Sequence, residues 1–167
     1  MSKNIALRPL FQKSAWVGLL AVALLNATDT KAAGSTDAAS QYNLDKSRLA
    51  LAGHDPVAYF TLGKASKGRR DLALQRNGIT YQFATAEDQA LFEKEPAKYM
   101  PAYGGWCATA MAKGEKVEVD PANFKITQGR LFLFFKAFYD NALKDWVKDE
   151  PAQTAKADAH WKRIAGE

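Results

Sequence analysis

A thiol and a thioether stand four residues apart in this chain, Cys107 and Met111 in the stretch Trp106 to Ala112 (WCATAMA). A helix over that stretch puts both sulfurs on one face. Thiolate and thioether are the soft donors that select Cu(I), and one imidazole completes a three-coordinate site. His54 is the preferred third ligand, because the turn Gly53-His54-Asp55-Pro56 holds a side chain at a domain edge. His160, beside Trp161, reads as a surface or packing residue. Cys107 also admits nucleophilic chemistry, provided a base or a helix N-terminus converts it to the thiolate. Gly104-Gly105 just before it would expose backbone amides to that end. The competing reading is plain packing, since buried cysteine behaves as a small hydrophobe and methionine fills core gaps.

A third candidate is a small-ligand pocket lined by Tyr59, Tyr81, Tyr103 and Trp106. Tyrosine and tryptophan pair an apolar body with one polar handle, which suits ligand sites and ordinary cores alike. Tyr59, Tyr103 and Trp106 are the contacts expected to hold such a ligand. Asp55 and Asp120 each precede a proline and read as turn residues that bond local amides. Asp149-Glu150 before Pro151 reads as a solvated helix end.

The formal charge of +5 belongs mostly to the start of the chain. Lys3, Arg8, Lys13 and Lys31 face Asp29 alone, and the remaining basic residues are scattered among acids. Lys64, Lys67, Arg69 and Arg70 cluster in what reads as a solvated loop, so no nucleic-acid surface is expected. Ala15 to Leu25 (AWVGLLAVALL) carry no charge. As a helix they rise only about 16 Å, short of the roughly 30 Å hydrocarbon core. Basic start, short apolar run and following small residues read as a secretory signal over residues 1–33. The mature protein is then periplasmic or secreted, with no membrane span. Residues 34–41 (GSTDAASQ) read as a flexible linker, and residues 42–167 as one domain. A lone cysteine in an exported chain makes no intramolecular disulfide, which leaves a buried thiol, a reactive one, a metal ligand or a bond to a partner.

Hydrophobic residues at 47% and charged ones at 25% fit an ordinary globular domain. Leu49, Leu51 and Val57 to Phe60 suggest extended segments. Leu72 and Leu74, then Ile79, Tyr81 and Phe83, alternate about Asn77-Gly78, which marks a two-residue hairpin. Thr85 caps a helix with Glu87 and Asp88 in its first turn and Leu91 and Phe92 inward, ending before Pro96. A second hairpin joins Phe124 and Ile126 to Leu131–Phe135 across Gln128-Gly129. Phe135, Tyr139, Ala142 and Trp146 recur at helical spacing, and Pro151 opens a last helix. The fold class expected is α+β, a small antiparallel sheet built from hairpins with helices packed on one face.

Three segments carry a family resemblance: Gly53-His54-Asp55-Pro56-Val57-Ala58-Tyr59-Phe60, Tyr81-Gln82-Phe83-Ala84-Thr85, and Phe92-Glu93-Lys94-Glu95-Pro96-Ala97-Lys98-Tyr99. Together they resemble the YHS-domain family. Tyr103-Gly104-Gly105-Trp106-Cys107-Ala108 resembles the extension of its exported, stand-alone members. Metal-associated YHS domains carry three cysteines at places that here read Ala58, Ala84 and Asp88, so that thiolate site does not carry over. The reading expected from all this is an exported, non-enzymatic binding protein of the cell envelope. Its partner is a metal ion or small ligand, with copper first and Cys107, Met111 and His54 as its ligands. The alternatives are a thiol-dependent enzyme or redox partner using Cys107, and a structural or interaction module.

Overall fold

At Asn77-Gly78 the chain reverses with φ of 49° and 74°, the pair of positive angles that a tight hairpin turn needs. It joins β1 (Arg69–Arg76) to β2 (Ile79–Phe83), paired antiparallel with Leu74 opposite Tyr81 and Arg76 opposite Ile79. The protein is seen here in a computed structural model that describes residues 38–166. The leader read at 1–33 and residues 34–37 lie outside the described residues. A second reversal at Gln128-Gly129 joins β3 (Asp120–Thr127) to β4 (Arg130–Phe134). The fold is α+β, and its hairpins stay as two separate two-stranded antiparallel sheets. Isolated bridges tie them to the rest: Leu49 to Thr80, Pro101 to Leu131 and Cys107 to Leu133.

Strand β4 is the spine. Successive side chains on a strand point to opposite faces. Leu131 and Leu133 enter a cluster with Tyr59, Tyr81, Phe83 and Phe92. Phe132 and Phe134 enter another with Met111, Trp146, Ala157 and Trp161. Both faces of this one strand are therefore buried.

The helices follow from local capping. Val57 to Phe60 do not extend as expected: α1 (Ala58–Thr61) is a helical turn. The buried carboxylate of Asp55 accepts from the Val57 and Ala58 amides at 2.8 and 3.3 Å, which satisfies donors that a helix start leaves open. Helix α2 (Ala86–Lys94) starts at Thr85, whose hydroxyl accepts from the Asp88 amide at 3.0 Å. Asp88 and Phe92, four apart, face the core, whereas Leu91 is rotated off that face and 40% exposed. A single turn, α3 (Pro96–Tyr99), follows. The buried stretch near Cys107 is helical only over α4 (Ala108–Met111).

The helix read from Phe135 onward begins later, at α5 (Ala142–Trp146). Strand β4 runs to Phe134, and Asn141 then sets the helix start by accepting from the Leu143 amide. Between them Lys136 bridges Asn141 and the Ala137 amide reaches the Asp140 carbonyl. This tight turn leaves Phe138 and Tyr139 at 90% and 95% exposure. The last helix, α6 (Glu150–Ala165), is capped by Asp149 and opens on Pro151. Glu150 is engaged rather than solvated: it accepts from the Trp146 indole at 3.1 Å and pairs with Lys125. Among the described residues no helix is long and apolar enough to cross a membrane.

Candidate functional site

Cys107 sits at the start of α4, 1% exposed, with its amide on the Val117 carbonyl at 2.9 Å. Its Sγ accepts from the Phe135 amide at 3.3 Å. The thiol thus stitches the start of α4 to the residue after β4, at the edge of a recess that Asp140 and Asp145 also border. Met111 lies one turn on, its amide on the Cys107 carbonyl, and is fully buried among the rings of Phe132, Phe134 and Trp146. A metal ion at that thioether requires opening the ring cluster.

His54 belongs to other surroundings. It bridges Lys67, and its Nδ1 lies 2.9 Å from the Leu51 carbonyl. Partial burial holds its pKa below the ordinary imidazole value, against the opposing pull of that carbonyl. No polar contact joins His54 to Cys107 or Met111. Among the described residues no group of three or more His, Cys, Asp or Glu side chains is placed to hold a metal ion.

The expected aromatic contacts also separate. Tyr59 is buried edge-on against Phe124, and its hydroxyl donates to the Pro121 carbonyl at 3.0 Å. The Trp106 indole donates to the Gln41 carbonyl at 2.7 Å. That bond, with Ala39 3% exposed, packs the end of the 34–41 stretch onto the domain as a short 3-10 turn, Ala38–Gln41.

Tyr103 lines a cleft of about 390 Å³ that Tyr42, Lys98, Met100, Arg130 and Trp161 also border. Such a volume falls within the range of small-molecule sites. The Tyr103 backbone has φ of 56°, the left-handed region where a non-glycine residue is strained, and the buried ring is held there by its contacts. Its hydroxyl donates to Asp158 at 2.9 Å. Arg130 donates to both oxygens of the same carboxylate, at 2.8 and 3.2 Å, and its guanidinium lies 5.5 and 5.0 Å from the Tyr103 and Phe132 ring centres. Burial pushes the Asp158 carboxyl upward, but the bonds from Arg130 and Tyr103 outweigh it and hold it below the ordinary carboxylate range. Burial, then the hydrogen bond to Asp158 and its charge, raise the Tyr103 hydroxyl, so it stays a neutral donor.

The two ionic groups that border the cleft, Lys98 and Arg130, are both cations, and each pairs with a carboxylate beside it, Lys98 with Glu95 at 3.5 Å and Arg130 with Asp158. Arg130 spends two of its five N–H donors on Asp158. The walls are aromatic and aliphatic. Sequence reasoning found Tyr103 and missed Arg130, Asp158, Lys98 and Trp161 as a site. Arg130 after the Gly129 turn is the one local cue, and nothing in the sequence ties it to a carboxylate 28 residues away.

A second arrangement surrounds Asp55, which is fully buried. One oxygen takes the Val57 and Ala58 amides, and the other takes the Ala84 amide at 2.7 Å. The Asp88 carboxyl contacts Asp55, and burial first, then the Asp55 charge, raise it above its ordinary value. Positions 58, 84 and 88 therefore meet around one carboxylate.

No family model matches the chain, and neither a curated protein nor a solved structure does.

Proposed function

We propose that this chain is an exported, non-enzymatic binding protein of the cell envelope, and that its ligand is a small anion with an apolar body. The ligand lies in the cleft between Tyr103, Arg130 and Trp161. One observation carries the reading: Arg130 stands over aromatic rings at a cleft whose two bordering charges are both positive. The likeness to exported YHS proteins is supported by the meeting of Ala58, Ala84 and Asp88 around Asp55. Thiol catalysis receives no such support, since the Cys107 sulfur is buried and already accepts a backbone amide.

Calorimetric titration of the full chain with benzoate, and with benzamide as its uncharged counterpart, tests the ligand class. Benzoate is expected to bind at least about tenfold more tightly, a difference of about 1.4 kcal/mol, and Arg130→Gln to abolish the preference. Equal affinities, or a preference unchanged in the variant, contradict the reading.

Copper is a second reading, favoured by one observation: Cys107 and Met111 sit one helical turn apart. It predicts one equivalent of Cu(I) bound, with Cys107→Ser and Met111→Leu each weakening it. Cu(I) titration curves that coincide for parent and both variants remove that assignment.

A further inference from the structure

Two large rings stand outside both core clusters of this fold. Phe138 and Tyr139 are 90% and 95% exposed, and they meet edge to face with ring centres 4.5 Å apart. Removing such surface from water is favourable, and adjoining exposed apolar side chains mark contact surfaces. The pair does not sit on a frayed segment. Lys136 bridges Asn141, and the Ala137 amide donates to the Asp140 carbonyl at 2.8 Å. A closed, projecting turn thus presents both rings ready-made, which lowers the ordering cost of a contact.

Such a tip needs a concave seat bordered by rings, and the same chain has one. The Tyr103 cleft of about 390 Å³, which Tyr42 and Trp161 also border, lies at the Arg130 end of β4. The tip follows the other end of that strand, at Phe134, about 13 Å along it from Arg130. With both rings exposed, the tip does not fill its own cleft. Two different surfaces at opposite ends of one strand join copies head to tail, through a heterologous contact. Charge agrees with this match. Lys136 precedes the pair and Asp140 follows it, both exposed. The tip therefore brings one charge of each sign to a cleft whose cations each lie beside a carboxylate. The Arg130 side chain is 40% exposed, and Asp158 takes two of its five N–H donors, which leaves three for a carboxylate arriving from outside.

We propose that this chain associates with a second copy of itself, the Phe138-Tyr139 tip of one copy entering the Tyr103 cleft of the next, where Asp140 accepts from Arg130. That role rests on the cleft's taking an anion with an apolar body, so a free ligand of that class and the tip compete for one place.

The test is sedimentation of the full chain at concentrations up to about 1 mM. The parent is expected to gain mass with concentration and to lose that gain when benzoate is added. The double variant Phe138→Ser, Tyr139→Ser leaves both core clusters intact and should associate at least about tenfold more weakly, as should Arg130→Gln. An equimolar mixture of the two variants restores one junction, because one supplies the cleft and the other the tip, and it should stop at dimers. A parent that binds benzoate with the Arg130-dependent preference and yet stays monomeric overturns the proposal, while the small-anion ligand stands. Mass that rises equally in the parent and both variants puts the contact elsewhere and also overturns it.

Discussion

Cys107 and Asp88 show how little a residue's type says about its task until its neighbours are known. The lone sulfur invites metal or redox chemistry, yet its bond from the Phe135 amide makes it a joint between α4 and β4. Cys107→Ala should therefore destabilise the fold by about 1–2 kcal/mol through the lost acceptor and packing. Benzoate binding should stay unchanged, as read by denaturant midpoint and calorimetry. Asp88 gives a pH prediction with a definite sign. Its folded pKa is raised above the ordinary 3.8, so the fold favours the protonated carboxyl. That contribution is complete below 3.8 and is lost as pH rises through the raised value. Asp158 is shifted downward, so its contribution is present above 3.8 and lost as pH falls below it. The two windows do not overlap. Asp88→Asn should flatten the loss of stability on the upper side of 3.8 and leave the acid side unchanged, as read from melting temperatures across pH.

Among the elements, those with chemical punctuation at both ends were legible beforehand. Asn77-Gly78 and Gln128-Gly129 adopt the turns that their residue types allow, and Thr85 caps α2 as its hydroxyl predicts. Errors arose where a periodic pattern competed with a neighbour. Phe135 and Tyr139 sit at helical spacing with Trp146, but the pairing of β4 and the Asn141 cap place the helix start at Ala142. Asn141→Ala should cost about 1 kcal/mol, more than an average surface substitution, because it also frees the Asn123 amide that donates to Asn141 at 3.0 Å. Val57 to Phe60 turned helical because the carboxylate that satisfies their amides is itself held by Ala84, a residue 29 positions from Asp55. No local pattern reports such a bond. The candidate cleft was legible in Tyr103 alone for the same reason: Arg130, Asp158 and Trp161 come from separate elements.

At the scale of the whole molecule, β4 divides two aromatic clusters, and the Tyr103 cleft opens where the second meets α3 and the β3–β4 turn. Phe138 and Tyr139 lie outside both. Replacing the pair by serine should change stability by less than about 0.5 kcal/mol, since neither ring is buried, and a larger loss in denaturant unfolding would contradict their placement. The proposed anion binding rests on this cleft. Its most direct test follows the indole N–H resonances of the full chain during benzoate titration. The prediction is a saturable shift of Trp161, which borders the cleft, with Trp106 and Trp146 unmoved and the response weakened in Arg130→Gln. Saturable binding that leaves Trp161 unmoved, or a Trp161 response that Arg130→Gln does not weaken, would contradict it.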